Sequence, residues 1–155
     1  MNVKELDKTD IQILSLLQQD ALMTHKEIAY QTNRSLSAVQ SRIRKLQQTG
    51  IIKKSVTLLD REKLGLGMVI FLLLKTNSYG IGSLKKLREG VSHFPEVMEC
   101  YQVSGDHDFI LKVVVSDVAQ YNTFIEDKLS TVKHLTSVKS MFAITEGKYE
   151  TAFCL

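Results

Sequence analysis

A chain of 155 residues with 44% hydrophobic and 24% charged residues has ordinary globular composition, which excludes a disordered chain and suits one domain or two small ones. Its longest apolar run, Met68–Leu74, falls far short of the roughly 20 residues that span a bilayer, and two cysteines are too few for a disulfide scaffold. Twenty Lys and Arg against 17 Asp and Glu leave a net charge of only +3.

That small charge is unevenly spread. Up to Leu64 there are 11 basic and 7 acidic residues, against 9 and 10 beyond it, so the first part is +4 and the second −1. No Asp or Glu occurs between Glu27 and Asp60, a stretch of 32 residues that holds Arg34, Arg42, Arg44, Lys45, Lys53 and Lys54. Concentrated positive charge in a balanced chain is the footprint of a nucleic-acid contact. A solvated basic face would usually mix signs.

Asp7 predicts a first helix start, with Asp10 placed where the helix dipole favours negative charge and Ile11, Leu14 and Leu17 at helical spacing. Thr24-His25-Lys26-Glu27 matches a capping box for a second, short helix that ends at the turn-like Thr32-Asn33-Arg34. Ser35 predicts the cap of a third helix running to about Gln48, with Gly50 just beyond it. Leu36, Val39, Ile43 and Leu46 would form its buried stripe. The opposite face would present Ser37, Ala38, Ser41, Arg44, Lys45 and Gln48, with Arg42 on the flank. Two helices joined by a short turn, the second basic, describe a helix-turn-helix. Candidate DNA-binding residues are therefore Arg34, Ser35, Ser37, Ala38, Ser41, Arg42, Arg44, Lys45 and Gln48. Ile51–Leu59 reads as a short wing or linker strand, whose Lys53 and Lys54 add phosphate contacts.

The remainder alternates strand and helix. Residues 66–76 read as a strand, Ser83 as the cap of a helix to His93, and Pro95 as its stop. Val97–Ser104 and Phe109–Ser116 bracket Gly105-Asp106-His107-Asp108 as a hairpin. Asp117 caps another helix, a strand covers about Leu135–Thr145, and Lys148–Phe153 would add an edge strand. The order β-α-β-β-α-β is ferredoxin-like. Met68–Leu74 and Phe109–Val115 are apolar on both faces apart from Lys112, and no spare helix exists to cover the second face. Self-association through the sheet is the economical cover, so a homodimer at least is expected.

His25, His93, His107 and His134 are scattered, and no serine or cysteine stands in a catalytic motif, so no enzyme is expected. Asp106, His107 and Asp108 lack the further ligands that a metal site needs. No basic-then-apolar segment opens the sequence, and a cytoplasmic protein is expected.

Leu6-Asp-x-x-Asp10-x-x-Ile13-Leu, the basic helix Ser35–Leu46 with Arg42, Gly50-Ile51-Ile52 and the hairpin Glu99-Cys-Tyr-x-Val-Ser-Gly-Asp-His-Asp-Phe-Ile-Leu-Lys112 together resemble the Lrp/AsnC (feast/famine) transcriptional regulators. The resemblance covers nearly the whole chain. It implies an α+β protein: a winged-helix-like helix-turn-helix domain over residues 1–52, a linker or strand over 53–65, and a ferredoxin-like effector (RAM) domain over 66–155. It also implies double-stranded DNA as partner, homodimers that often assemble into octamers, an amino-acid effector bound where dimers meet, no cofactor and no membrane. Carried onto this sequence, the effector site would include Tyr101, Gly105, Asp106, Asp108 and Ser140. The chain departs from the family in its last strand, where Lys133-His134 replaces a Pro-Gly turn and Val138 and Ser140 stand at two threonine positions. The alternative from another class is a sensing or assembly module without specific DNA recognition.

Overall fold

Asp7 opens helix α1 (Lys8–Gln19) by accepting from the Asp10 N–H at 2.8 Å, while Asp10 returns the bond to the Asp7 N–H. Thr24 and Glu27 make the same reciprocal cap on α2 (His25–Gln31). Each box satisfies two amide donors that the first turn leaves without partners. Ser35 caps α3 (Leu36–Gln48) through the Ala38 N–H at 3.2 Å. Beyond α3, Gly50 takes φ +74°, and the Ile52 N–H returns to the Leu46 carbonyl. This helix end suits glycine because the left-handed conformation carries no Cβ penalty there.

The computed structural model describes residues 6–77 and 80–155, in two compact units: 6–58 with Lys148–Leu155, and Leu59–Gly147. In the first unit, Ile13, Ile28 and Val39 are fully buried and Ile43 and Leu46 nearly so. Leu36, expected in that stripe, is the first residue of α3 and lies at the rim, 37% exposed. On α1 the buried face centres on Ile13 and Leu14, with Ile11 and Leu17 half-buried. The expected strand over Ile51–Leu59 is absent, because Lys53–Asp60 is exposed and has no neighbouring strand to pair with. The edge strand expected over Lys148–Phe153 is likewise absent. Instead, the Phe153 N–H and carbonyl bond the side-chain amide of Gln18 on α1, at 2.7 and 3.1 Å.

The second unit is a four-stranded antiparallel sheet in the order β2-β3-β1-β4, from β1 (Met68–Thr76), β2 (Val97–Gln102), β3 (Phe109–Val115) and β4 (Leu135–Phe142). This is the ferredoxin-like arrangement. The helices are α4 (Ile81–Ser92) and α5 (Val118–Thr123). A π-helical turn, Phe124–Lys128, and a 3₁₀ turn, Leu129–Thr131, continue α5. The wider π turn sets the Leu129 N–H on the Phe124 carbonyl, and both side chains are almost wholly buried.

Ile70, Leu72 and Leu74 of β1 and Phe109, Leu111 and Val113 of β3 are fully buried under Leu87 and Val91 of α4 and Tyr121 and Phe124. Each such side chain contributes about 1.5–3 kcal/mol relative to exposure. The opposite sheet face carries Phe71, Leu73, Ile110 and Val114, which are half-buried. Helix α4 starts three residues earlier than a cap at Ser83 implies. Its cap residue is Gly80, and Ser83 lies in the first turn with its N–H on the Gly80 carbonyl.

His134 adopts φ +71° in the turn before β4. Side chains other than glycine and asparagine meet a steric penalty there. His134→Gly is expected to raise stability by about 1 kcal/mol, read as a higher urea midpoint at unchanged m.

Candidate DNA interface and effector hairpin

The turn between α2 and α3 is built by Thr32-Asn33-Arg34. Thr32 donates its hydroxyl to the Ile28 carbonyl at 2.7 Å, and Asn33 takes φ +52°. Asparagine tolerates this left-handed conformation better than most residues, which is how the sequence encodes so short a turn.

On α3, Ser37, Ser41, Arg44, Lys45 and Gln48 are exposed, and Ala38 is half-buried. Neither Arg44 nor Lys45 pairs with a carboxylate among the described residues. Lys53 and Lys54 are exposed on the extended segment beyond. Small polar residues near the helix start permit close approach to a groove, and the cations further along suit phosphates.

Three expected contacts have other work in the fold. Arg42 turns to α1 and places Nη1 2.7 Å from both Asp7 Oδ2 and Asp10 Oδ1. Its guanidinium is neutralised by two carboxylates, so Arg42 clamps α3 to α1 and is not the free cation that the charge pattern implied. The Asp10 N–H and Arg42 hold the Asp7 carboxyl below the usual carboxylate range. Asp10 and Asp7 in turn push the Arg42 guanidinium above its ordinary value. Arg34 donates to Thr9 Oγ1 through Nε and Nη2, at 3.4 and 3.2 Å, while remaining exposed. The Ser35 hydroxyl is spent on its cap and lies 3.2 Å from the Ser37 hydroxyl. Ser35→Ala is therefore expected to cost about 1 kcal/mol in chemical denaturation.

In the second unit the β2–β3 hairpin turns at Gly105, whose φ is +116°. Asp106 is exposed at its tip. Asp108 is a brace: its Oδ2 accepts from the Thr76 N–H at 2.8 Å, its own N–H reaches the Leu74 carbonyl, and its carbonyl accepts from Val103 N–H. Tyr101 pairs in register with Ile110 on the open sheet face and donates its hydroxyl to Glu99 Oε2 at 3.0 Å. That bond raises the phenol above its ordinary range. Glu99 also meets Lys112 at 3.1 Å.

Ser140 pairs with Leu72, on the helix-covered face, where its hydroxyl lies 2.5 Å from that of Tyr121. Tyr121 also stacks edge-on with Phe142, centroids 5.2 Å apart. The hairpin thus unites Gly105, Asp106 and Asp108, whereas Tyr101 and Ser140 lie on opposite faces of the sheet. Sequence reading missed Tyr121 and Thr76, because an ordinary core tyrosine and a strand-end threonine carry no motif. Among the described residues no three His, Cys, Asp or Glu side chains are grouped to hold a metal, and no helix is long and apolar enough to cross a membrane.

Family models match both parts of the chain: "winged helix-turn-helix DNA-binding" over residues 6–53 and "Lrp/AsnC ligand binding domain" over residues 69–153. The glutamate uptake regulatory protein of Zymomonas mobilis is 38% identical over 96% of this chain and 90% of its own length. An AsnC family transcriptional regulator from Agrobacterium tumefaciens superposes with a TM-score of 0.91 at 36% identity, covering 96% of this chain and 97% of that one. A transcriptional regulator from Neisseria meningitidis, solved in complex with L-Met, gives a TM-score of 0.89 at 28% identity over 96% of each chain. The helix-turn-helix with its exposed basic α3, the ferredoxin-like sheet and these matches along nearly the full length lead to one conclusion: the chain belongs to the Lrp/AsnC family of transcriptional regulators.

Proposed function

We propose that this regulator reads operator DNA with α3 and responds to an amino acid or a closely related small molecule at the β2–β3 hairpin. The observation that carries the first part is the pair of exposed cations Arg44 and Lys45, without a carboxylate partner among the described residues, within 32 residues free of acids. Ser37, Ser41 and Gln48 stand nearer the base edges, while Arg44, Lys45, Lys53 and Lys54 supply phosphate affinity. Arg34 adds a further cation beside Ser35 at the start of the helix.

The protein acts as a homodimer or a larger assembly of dimers in the cytoplasm. The half-buried apolar face of Phe71, Leu73, Ile110 and Val114 supports pairing through the sheet, since an open antiparallel face is ordinarily polar. A dimer sets two recognition helices in successive major grooves, about 34 Å apart, which fits an imperfect palindrome.

For the effector, the open hairpin at Gly105 offers backbone amides to an α-carboxylate, and Asp106 offers a carboxylate to an α-ammonium group. Tyr101 stands on the open face where copies would pair, whereas Ser140 lies on the helix-covered face and is bonded to Tyr121, so the hairpin and Tyr101 carry the effector reading. The Zymomonas protein is named for glutamate uptake and the Neisseria protein holds L-Met, which supports the amino-acid class.

A gel shift on the DNA upstream of the protein's own gene tests the DNA reading. Salt-sensitive retardation at micromolar protein is expected, and its absence favours a sensing module without DNA recognition. A thermal-shift panel of the twenty amino acids tests the effector, because a ligand selective for the native state raises apparent stability. A flat response removes the amino-acid effector.

A further inference from the structure

A groove of about 520 Å³ lies between α4 and the turn that joins the end of the α5 segment to β4. That volume falls within the roughly 300–1,000 Å³ of small-molecule sites. It is remote in character from the effector hairpin, because its lining is cationic and contains no Asp or Glu among the described residues. Lys86, Lys133 and His134 supply the basic groups, and Ser83 and Thr131 add hydroxyls. Neither Lys86 nor Lys133 is ion-paired with a carboxylate among the described residues. Leu87, Phe94 and Val132 supply the apolar part of the wall.

The turn that carries Lys133 and His134 is held in place. The His134 carbonyl accepts from the Thr76 hydroxyl at 2.8 Å and from the Asn77 N–H at 3.2 Å. These bonds keep His134 at φ +71°, a conformation that glycine would adopt without strain. Strain retained by a side chain at the wall of a cavity is a physical ground for assigning that side chain a role.

We propose that this groove binds a small organic anion: a monocarboxylate with an apolar body and no ammonium group, as in a 2-oxo acid. The two lysines and His134 meet the carboxylate, Ser83 and Thr131 donate to its oxygens, and Leu87, Phe94 and Val132 take the aliphatic part. A zwitterionic amino acid is disfavoured, because its ammonium group would enter a basic lining with no acidic partner. The site therefore has a different ligand class from the hairpin, and it does not depend on the effector reading.

The test uses the full-length protein and 4-methyl-2-oxopentanoate, with leucine and inorganic phosphate as comparators, read by calorimetry and by the methyl NMR signals of Leu87 and Val132. The oxo acid is expected to bind and shift both signals, and leucine at equal concentration to leave them in place. Lys86→Gln with Lys133→Gln is expected to weaken binding at least tenfold. Gly90→Met offers an independent block: Gly90 lines the groove, a Cβ there meets nothing within 4 Å, and methionine favours the helix over glycine. It too should weaken binding at least tenfold in a folded protein. Absence of oxo-acid binding, equal shifts with leucine, or variants that bind as tightly as the parent would each overturn the proposal. Shifts by phosphate alone would overturn the carboxylate assignment in favour of a phosphorylated ligand.

Discussion

The Arg44→Ala/Lys45→Ala protein is expected to bind duplex DNA roughly 50-fold more weakly near 0.1 M salt, with a log–log salt slope shallower by about 2. Both side chains are exposed on the outward face of α3 and neither has a carboxylate partner among the described residues. Each phosphate contact releases about 0.9 counterion from B-DNA, so two lost contacts set both the slope change and the affinity loss. Because phosphates carry no sequence information, operator and unrelated DNA should weaken alike. Fluorescence anisotropy over a salt series measures this, and an unchanged slope would remove the two residues from the phosphate contacts. Gln48→Ala, in contrast, should alter the preference among sites with little change in slope.

Arg42→Ala should behave in the opposite manner: a stability loss of about 2 kcal/mol with the salt slope of DNA binding preserved. The guanidinium joins Asp7 and Asp10 of α1 to α3, and the Asp10 side chain is only 11% exposed. Removing the cation leaves a largely buried carboxylate uncompensated, which is the costly way to break an ion pair. The figure is held below the fully buried range because Arg42 itself is about a third exposed. Urea denaturation measures the loss. A slope reduced by about 1 with stability intact would return Arg42 to the phosphate contacts.

The same cluster sets a pH dependence. The folded-state pKa of Asp7 is lowered, first by the Asp10 N–H and then by Arg42. A carboxyl lowered on folding contributes stability above its unfolded value, and that contribution is lost as pH falls through the folded value. Acid destabilisation of the parent therefore includes a contribution from Asp7. The Arg42→Ala protein should show a weaker acid limb, though not a flat one, since the bond from the Asp10 N–H survives the substitution.

Local chemistry carried most of the fold. Asp7, Thr24 and Ser35 announce three helix starts because capping needs partners only three residues away. The β-branched and aromatic runs announce four strands because alternation is a property of neighbours in the chain. Sequence reading went astray at Ile51–Leu59 and Lys148–Phe153. Both have strand composition, but a strand exists only where another strand accepts its hydrogen bonds, and composition cannot say whether one is near.

The small net charge hides an acid-free basic stretch, and that much was legible in the sequence by itself: the helix-turn-helix, its basic third helix, and the β-α-β-β-α-β order beyond it. The tertiary structure decided how individual polar side chains are employed. Arg42 is committed to Asp7 and Asp10, 35 and 32 residues away. Asp108 is committed to the Thr76 N–H, 32 residues away, and Ser140 to Tyr121 beneath the helical layer. Lys86 and Lys133 line one groove only because α4 and the turn before β4 pack together. Periodicity and capping act over three or four residues and survive in the one-dimensional record. The partner of a charge is set by packing across the fold, and no local pattern encodes it.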